Sequence, residues 1–207
     1  MEKSVLIITQ GSRYGKKIVD KFLKNNYKVI KTGTKQEEET SETTEAETEG
    51  KLTELNWNFT SQLSFKNIIL CLKNYPDITD VIILYSVPED NTPVYNQSYV
   101  EMQKTIDLYI KGQLSITCDL LREFSKNNSQ CNFFLVLEKS PLSNPFREFF
   151  KSFINSLLED NNLPLVINAF EVGKDTPESF ADYAFSIIQD KKQARGKWFK
   201  QFRYTLF

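Results

Sequence analysis

Histidine is absent from this 207-residue chain. With it go imidazole acid–base catalysis, histidine-containing triads and most catalytic zinc sites. Cysteine is scarce: Cys71, Cys118 and Cys131 are far apart and odd in number. Neither a disulfide framework nor a metal cluster fits that spacing, so buried free thiols in a reducing cytoplasm are expected. No apolar run approaches the about 18 residues a membrane span needs. The first strand begins by Val5, so no signal peptide is expected ahead of it. Charge of one sign is missing in two places. Gln36 to Gly50 carries seven Glu and no basic residue, and Lys191 to Arg203 carries six basic residues and no acidic one. The net charge of −1 hides this asymmetry.

What is present is an alternation of two hydrophobic patterns. Val5-Leu6-Ile7-Ile8 is a continuous apolar run of the kind buried on both faces of a parallel sheet. The turn Thr9-Gln10-Gly11-Ser12-Arg13-Tyr14-Gly15 follows. A helix then places Ile18, Val19, Phe22 and Leu23 on one face and Lys16, Lys17, Lys21 and Lys24 on the other. Tyr27-Lys28-Val29-Ile30 is the next strand. Such a strand, glycine turn, helix and strand commonly open a dinucleotide-binding fold. Lys35 to Gly50 is a Glu/Thr/Ser tract that cannot bury apolar surface and is expected to be a disordered loop.

Further strands are expected at Lys51–Phe59, Asp80–Tyr85, Asn132–Glu138 and Leu163–Phe170, with a last one within Trp198–Phe207. Helices are expected at Ser64–Asn74, at Ser98–Phe124 with a break near Gly112, at Pro145–Asp160, and from a Thr176-Pro177-Glu178 start to about Gln189. This alternation specifies an α/β fold. Right-handed connections make it a Rossmann-like, three-layer, doubly wound and mostly parallel sheet in a single domain over residues 1–207.

The order and spacing of these elements resemble the short-chain dehydrogenase/reductase family along nearly the whole chain. Ile78-Thr79-Asp80-Val81-Ile82-Ile83 resembles the family's entry to its fourth strand. Ile106 to Gly112 resembles its V-N-x-x-G segment. Asn168-Ala169 with Gly173 and Thr176 resembles its N-x-x-x-P-G-x-x-x-T segment. The resemblance implies an NAD(P) site at Thr9, Gly11, Ser12, Arg13, Gly15, Lys35, Tyr85, Ser86, Asn168, Gly173 and Thr176. If a cofactor binds, Lys35 favours NADP(H). Arg13, Lys16 or Lys17 would supply charge for a phosphate.

The chemical motifs depart from the family. In T-G-x-x-x-G-x-G, Thr9, Gly11 and Gly15 remain, but at least one glycine is replaced by Gln10, Tyr14 or Lys17. Tyr85-Ser86-Val87 stands for N-A-G. Tyr109 stands at the catalytic Asn, and Lys139 or Ser140 at the catalytic Ser. Ser143 and Arg147 stand at the Tyr and Lys of Y-x-x-x-K. The family's mechanism needs a phenol as acid and an ammonium to lower its pKa, and a Ser hydroxyl is far too weak an acid to replace it.

The expected function is therefore a degenerate, non-catalytic or regulatory subunit. It would bind no cofactor and pair with an active reductase of the same fold, such as a ketoacyl reductase. The alternative is a divergent NAD(P)H-dependent oxidoreductase using Tyr85 or Tyr109 as acid; a small-molecule sensor in the old pocket is a third reading. The resemblance implies oligomerisation, with a second copy or an active relative, through the family's fourth and fifth helices. The fifth, here Pro145–Asp160, carries Phe146, Phe149, Phe150, Phe153, Ile154 and Leu157, an apolar surface wider than one stripe. Of these, Phe146, Phe150, Phe153 and Leu157 are expected to face the sheet, with Phe149 and Ile154 extending beyond it. The basic tail, interleaved with Trp198, Phe199, Phe202 and Tyr204, is a solvated face or a contact for an acidic carrier protein; no nucleic-acid motif accompanies it.

Overall fold

The structure, a computed structural model, describes residues 3–9, 12–33, 51–58, 61–86, 96–126, 131–138, 145–173, 176–190 and 195–200. The acidic tract 36–50, Gln10, Gly11, Lys35, Lys139, Ser140, Ser143 and tail residues 191–194 and 201–207 lie outside these ranges.

Seven strands form one sheet: β1 (Ser4–Ile8), β2 (Lys28–Gly33), β3 (Leu52–Asn56), β4 (Ile78–Tyr85), β5 (Asn132–Leu137), β6 (Val166–Glu171) and β7 (Trp198–Lys200). Their order is β3-β2-β1-β4-β5-β6-β7, and every pairing is parallel. The sheet is thus wholly parallel rather than mostly so. Strand order reverses between β1 and β4, which makes their carboxyl ends the topological switch point, where folds of this kind hold ligands.

The continuous apolar runs serve two cores because successive side chains point to opposite faces. Val5 and Ile7 of β1, with Ile82, Leu84, Phe134 and Val136, pack beneath helix α1 (Arg13–Lys24) and the last helix, Pro177–Gln189. Leu6 and Ile8, with Val81, Ile83, Phe133 and Leu135, pack beneath the helices on the other face. Those are α2 (Gln62–Leu72), the stretch containing α3 (Tyr99–Thr105) and α4 (Gly112–Lys126), and α5 (Pro145–Glu159). The last helix is α6.

Side-chain chemistry sets the helix ends. Ser12, Ser61, Ser98 and Thr176 are N-caps, each oxygen accepting from a backbone N–H of the first turn. Ser98 and Glu101 complete a reciprocal capping box. α1 ends where Asn26 turns to φ 62°, with the Asn26 N–H donating to the Leu23 carbonyl at 3.0 Å and the Tyr27 N–H to the Phe22 carbonyl at 3.1 Å.

The expected break near Gly112 is a widening instead. Ile106–Lys111 forms a π-helical segment that leads directly into α4, and Gly112 keeps helical angles. A helix can absorb an extra residue this way without losing its course. The expectation of three buried thiols also needs correction: Cys131 is buried, Cys118 is half-buried and Cys71 is exposed. α2 is apolar nearly all round but buries only Phe65, Ile68 and Leu72, which leaves Cys71 on its outer side.

Candidate functional site

The crevice at the carboxyl ends of β1, β4, β5 and β6 is built from the amino end of α1 outward. Thr9, just past β1, is buried, and its hydroxyl donates to the Thr32 carbonyl at 2.7 Å. That bond orients the Thr9 methyl towards Gly15, where a Cβ would come within 2.6 Å of Thr9 Cγ2. Gly15 is therefore required by the close approach of α1 to β1. Tyr14, one of the residues that stand where the family has a glycine in the resemblance, lies in the α1–α6 layer. It is buried edge-on to Phe180 with ring centroids 5.6 Å apart. The exposed Arg13 guanidinium lies over the Tyr14 ring at 5.1 Å. Lys16 is exposed, and Lys17 is paired with Glu178 at 3.0 Å.

Ser12 caps α1 and accepts from the Tyr14 and Gly15 N–H groups, both at 3.1 Å. Its own proton goes to Glu138 Oε1. Glu138 follows β5, and its backbone N–H donates to the Tyr85 carbonyl at 3.2 Å. Because β4 lies between β5 and β1, this carboxylate crosses the end of β4 and stands at the amino end of α1. α1 has no acidic residue in its own first turn, so Glu138 supplies the negative charge that the helix dipole favours there.

A second carboxylate closes the adjoining part of the edge. Glu171 ends β6 opposite Leu137. It holds Arg147 of α5 at 2.5 Å and Lys200 of β7 at 2.5 Å. Arg147 also reaches Glu148 at 3.1 Å, and its side chain is only 15% exposed. Burial pushes the Glu171 carboxyl up, but hydrogen bonds and charge from Lys200 and Arg147 outweigh it and hold it below the ordinary value.

A carboxyl lowered on folding adds stability that is complete above its unfolded pKa, about 4.3, and is lost as pH falls through the folded value. Glu171→Gln is therefore expected to be less stable than the parent at pH 7. It should also show a shallower loss of melting temperature on acidification below about pH 4.3. Thermal melts from pH 7 to pH 3 check this; parallel curves for the two proteins would refute it.

Several expected site residues lie in packing or hydrogen-bond contacts within the fold. Tyr85, expected near the cofactor as a displaced acid, is fully buried on the α4–α5 side. Its ring packs 4.9 Å from that of Phe150, and its hydroxyl lies 2.9 Å from Thr117 Oγ1. Thr117 Oγ1 itself donates to the Gln113 carbonyl at 2.7 Å, so Tyr85 must be the donor to Thr117. Burial raises the Tyr85 phenol far above its usual range. A proton so placed serves packing and cannot pass to a substrate in the crevice.

Asn168, expected to touch cofactor, is fully buried within β6, and its Oδ1 accepts from the Lys197 N–H at 3.1 Å. It ties the edge strand β7 to β6. The Ser86 carbonyl accepts from Gln113 Nε2 at 3.1 Å, linking the end of β4 to α4. Thr176 is an exposed cap, and Gly173 is half-buried past β6. Tyr109 lies half-buried in the π-helical segment.

The α5 residues also divide differently from the expectation. Phe150, Ile154 and Leu158 are buried, so Ile154 belongs to the core and not to an interface. Phe146, Phe153 and Leu157 are half-buried against that core, and Phe149 stays 43% exposed.

Glu138 and Glu171 were not singled out from the sequence. The available signal is the same in both: each is an acidic residue closing an apolar strand, Phe133-Phe134-Leu135-Val136-Leu137-Glu138 and Ile167-Asn168-Ala169-Phe170-Glu171. A cavity of ≈ 640 Å³ lies away from this crevice, at the opposite edge of the sheet. It is lined by Ile69, Leu72, Tyr75, Pro76 and Phe124 at the carboxyl ends of α2 and α4. The crevice chemistry, not cavity size, marks the candidate site.

Among the described residues, the amino end of α1 is faced by the Glu138 carboxylate, bonded to Ser12. In folds of this kind the diphosphate of a dinucleotide belongs at that end of the first helix.

The sequence matches no family model and no curated protein. Solved structures show the fold. The chain is similar to the 3-ketoacyl-(acyl-carrier-protein) reductase from Brucella melitensis complexed with NADH, with a TM-score of 0.75, 13% identity and 96% of each chain covered. It is similar to serine dehydrogenase from Escherichia coli, with a TM-score of 0.75, 17% identity and 96% of each chain covered. It is also similar to ElxO with NADP bound, with a TM-score of 0.77, 15% identity and 97% of each chain covered. The fold is thus the Rossmann-like fold of the short-chain dehydrogenases, found in NAD(P)-dependent oxidoreductases, at low sequence identity. Among the described residues, no helix is long and apolar enough to cross a membrane.

Proposed function

We propose that this chain is a non-catalytic subunit with the short-chain dehydrogenase fold, which pairs with an active NAD(P)-dependent reductase of the same fold. The observation that carries this reading is the commitment of Arg147. It stands where the resemblance places the catalytic Lys, and its guanidinium is engaged by Glu171 and Glu148. A guanidinium engaged by two carboxylates is held away from a ribose, and its field on a nearby phenol is reduced. The burial of Tyr85 supports the same conclusion, because it removes one of the two phenols weighed as a displaced acid.

The pairing surface in this reading is the outer side of α5 with the α3–α4 stretch. Phe149 projects from α5, and Tyr99 and Val100 are 79% and 73% exposed at the start of α3. Exposed aromatic and aliphatic side chains of this kind suit the centre of an interface. A ketoacyl reductase is the partner type that the fold suggests, and in such a pair the partner would supply the cofactor and the chemistry.

The test is direct. The purified protein is expected to oxidise no NADPH or NADH with a short 3-ketoacyl thioester, and to elute as a dimer or to co-purify with a reductase. Turnover by the isolated protein, or a strict monomer at micromolar concentration that captures no reductase, would sink the proposal.

A second reading keeps Tyr109 as the acid of a divergent NADP(H) oxidoreductase. The π-helical segment around it is the one observation in its favour, since such irregularities often accompany functional sites. It requires turnover that Tyr109→Phe abolishes.

A further inference from the structure

We infer that Glu138 is a built-in anion that locks the dinucleotide crevice, occupying the amino end of α1 in place of a phosphate group. The inference deepens the non-catalytic reading and rests on it for the claim that the crevice is a relic. Its own evidence is separate. Among the described residues, Ser12 heads α1, where a phosphate oxygen would arrive, beside the buried Thr9 and the tightly packed Gly15. Every capacity of its hydroxyl is engaged: two backbone N–H groups donate to it, and its proton goes to Glu138.

Charge complementarity makes this arrangement stable on its own. The amino end of a helix favours an anion, and α1 brings none within its first turn. The carboxylate of Glu138 meets that demand from a different strand. A diphosphate arriving at the same point would have to displace it or lie beside it. Like charges at such separations repel strongly in a partly buried setting.

The neighbouring edge repeats the device. Glu171 pairs with both Arg147 and Lys200, and Glu148 also pairs with Arg147, so the cations nearest that part of the crevice also have acidic partners within the chain. Two internal acids therefore do the electrostatic work that an anionic ligand would otherwise do. The close contact of Gly15 with Thr9 accounts for a glycine at this position by packing alone.

The experiment compares the full-length protein with Glu138→Gln and Glu138→Ala, using inorganic pyrophosphate and NADPH as probes in isothermal titration. Gln keeps the shape and can still bond Ser12 without the charge; Ala empties the position. The far-UV spectrum and melting curve of each variant confirm that it is folded. The expected result is binding of both probes by Glu138→Ala about 100-fold or more tighter than by the parent, with Glu138→Gln intermediate.

Equal affinity in the parent and both folded variants would overturn the inference, whether all three bind or none does. The ratio of affinities tests the lock, and turnover of a ketoacyl thioester tests the non-catalytic reading. A parent that turns over while Glu138→Ala binds far more tightly would refute the second and leave the first standing.

Discussion

Phe150→Ala is expected to lower the unfolding free energy by about 3–5 kcal/mol, the usual cost of emptying a buried phenylalanine site. Phe150 is fully buried, and its ring lies against Tyr85 at 4.9 Å and Phe149 at 5.6 Å. Its loss would open a cavity beneath α5 and expose the Tyr85–Thr117 bond. In a chain of this size the melting temperature should fall by roughly 10 °C.

The informative comparison is Phe149→Ala, one residue away. Phe149 is 43% exposed, so its truncation should cost less than about 1 kcal/mol of stability. Its effect should appear instead in the dissociation constant of the assembled state, read by light scattering or sedimentation. If Phe149→Ala melts as early as Phe150→Ala and leaves assembly untouched, the assignment of Phe149 to an outward face is wrong. The pair separates core from outward face on one helix, along the line that the sequence pattern drew for these two residues.

Gly15→Ala is expected to destabilise by about 1–3 kcal/mol despite a better helix former being introduced. Helix propensity by itself favours Ala by about 0.8–1.0 kcal/mol. The contact decides the sign. The new Cβ would meet Thr9 Cγ2 at 2.6 Å, and Thr9 cannot simply rotate. It is β-branched and stiff at χ1, and rotation would break its 2.7 Å bond to the Thr32 carbonyl.

The cause can be isolated with a second substitution. Thr9→Ser removes the clashing methyl and keeps the hydroxyl. Made together with Thr9→Ser, the same Gly15→Ala change should be nearly neutral or stabilising, a coupling of about 1–3 kcal/mol measured by denaturant titration of the four proteins. Additive effects would mean that the glycine is needed for some reason other than this contact. The result also bears on function, because it assigns a residue of a phosphate-binding pattern to packing.

Much of the architecture was legible in the sequence because its signals are local. Continuous apolar runs marked strands covered on both faces, and 3.6-residue periodicity marked helices. Thr176 ahead of Pro177 marked the start of the last helix. Right-handed connection and the family resemblance added a doubly wound sheet, and the observed strand order agrees with it. The width of α5's apolar surface was also legible, but its division only in part. Phe149 faces outward as expected, but Ile154 went inward because the tilt of a helix on a twisted sheet is set by the packed neighbours and not by periodicity.

The candidate site was the least legible part. Composition alone excluded histidine chemistry, and the resemblance led to the expectation of a missing Tyr and Lys pair. What could not be read was where the charges meet. Ser12 and Glu138 are 126 residues apart, and they come together only because parallel crossovers bring the ends of β1, β4 and β5 to one edge. Arg147 and Glu171 meet for the same reason across α5 and β6.

The sequence by itself determined the elements, their order, the absence of histidine chemistry and the glycine on which α1 rests. Tertiary structure decided that Tyr85 is core, that Asn168 ties a strand edge, and that two carboxylates stand at the crevice. The physical reason is range. Propensity, capping and periodicity act within a turn or two of the chain, whereas hydrogen bonding and Coulomb interaction act through space, on neighbours that only the fold supplies.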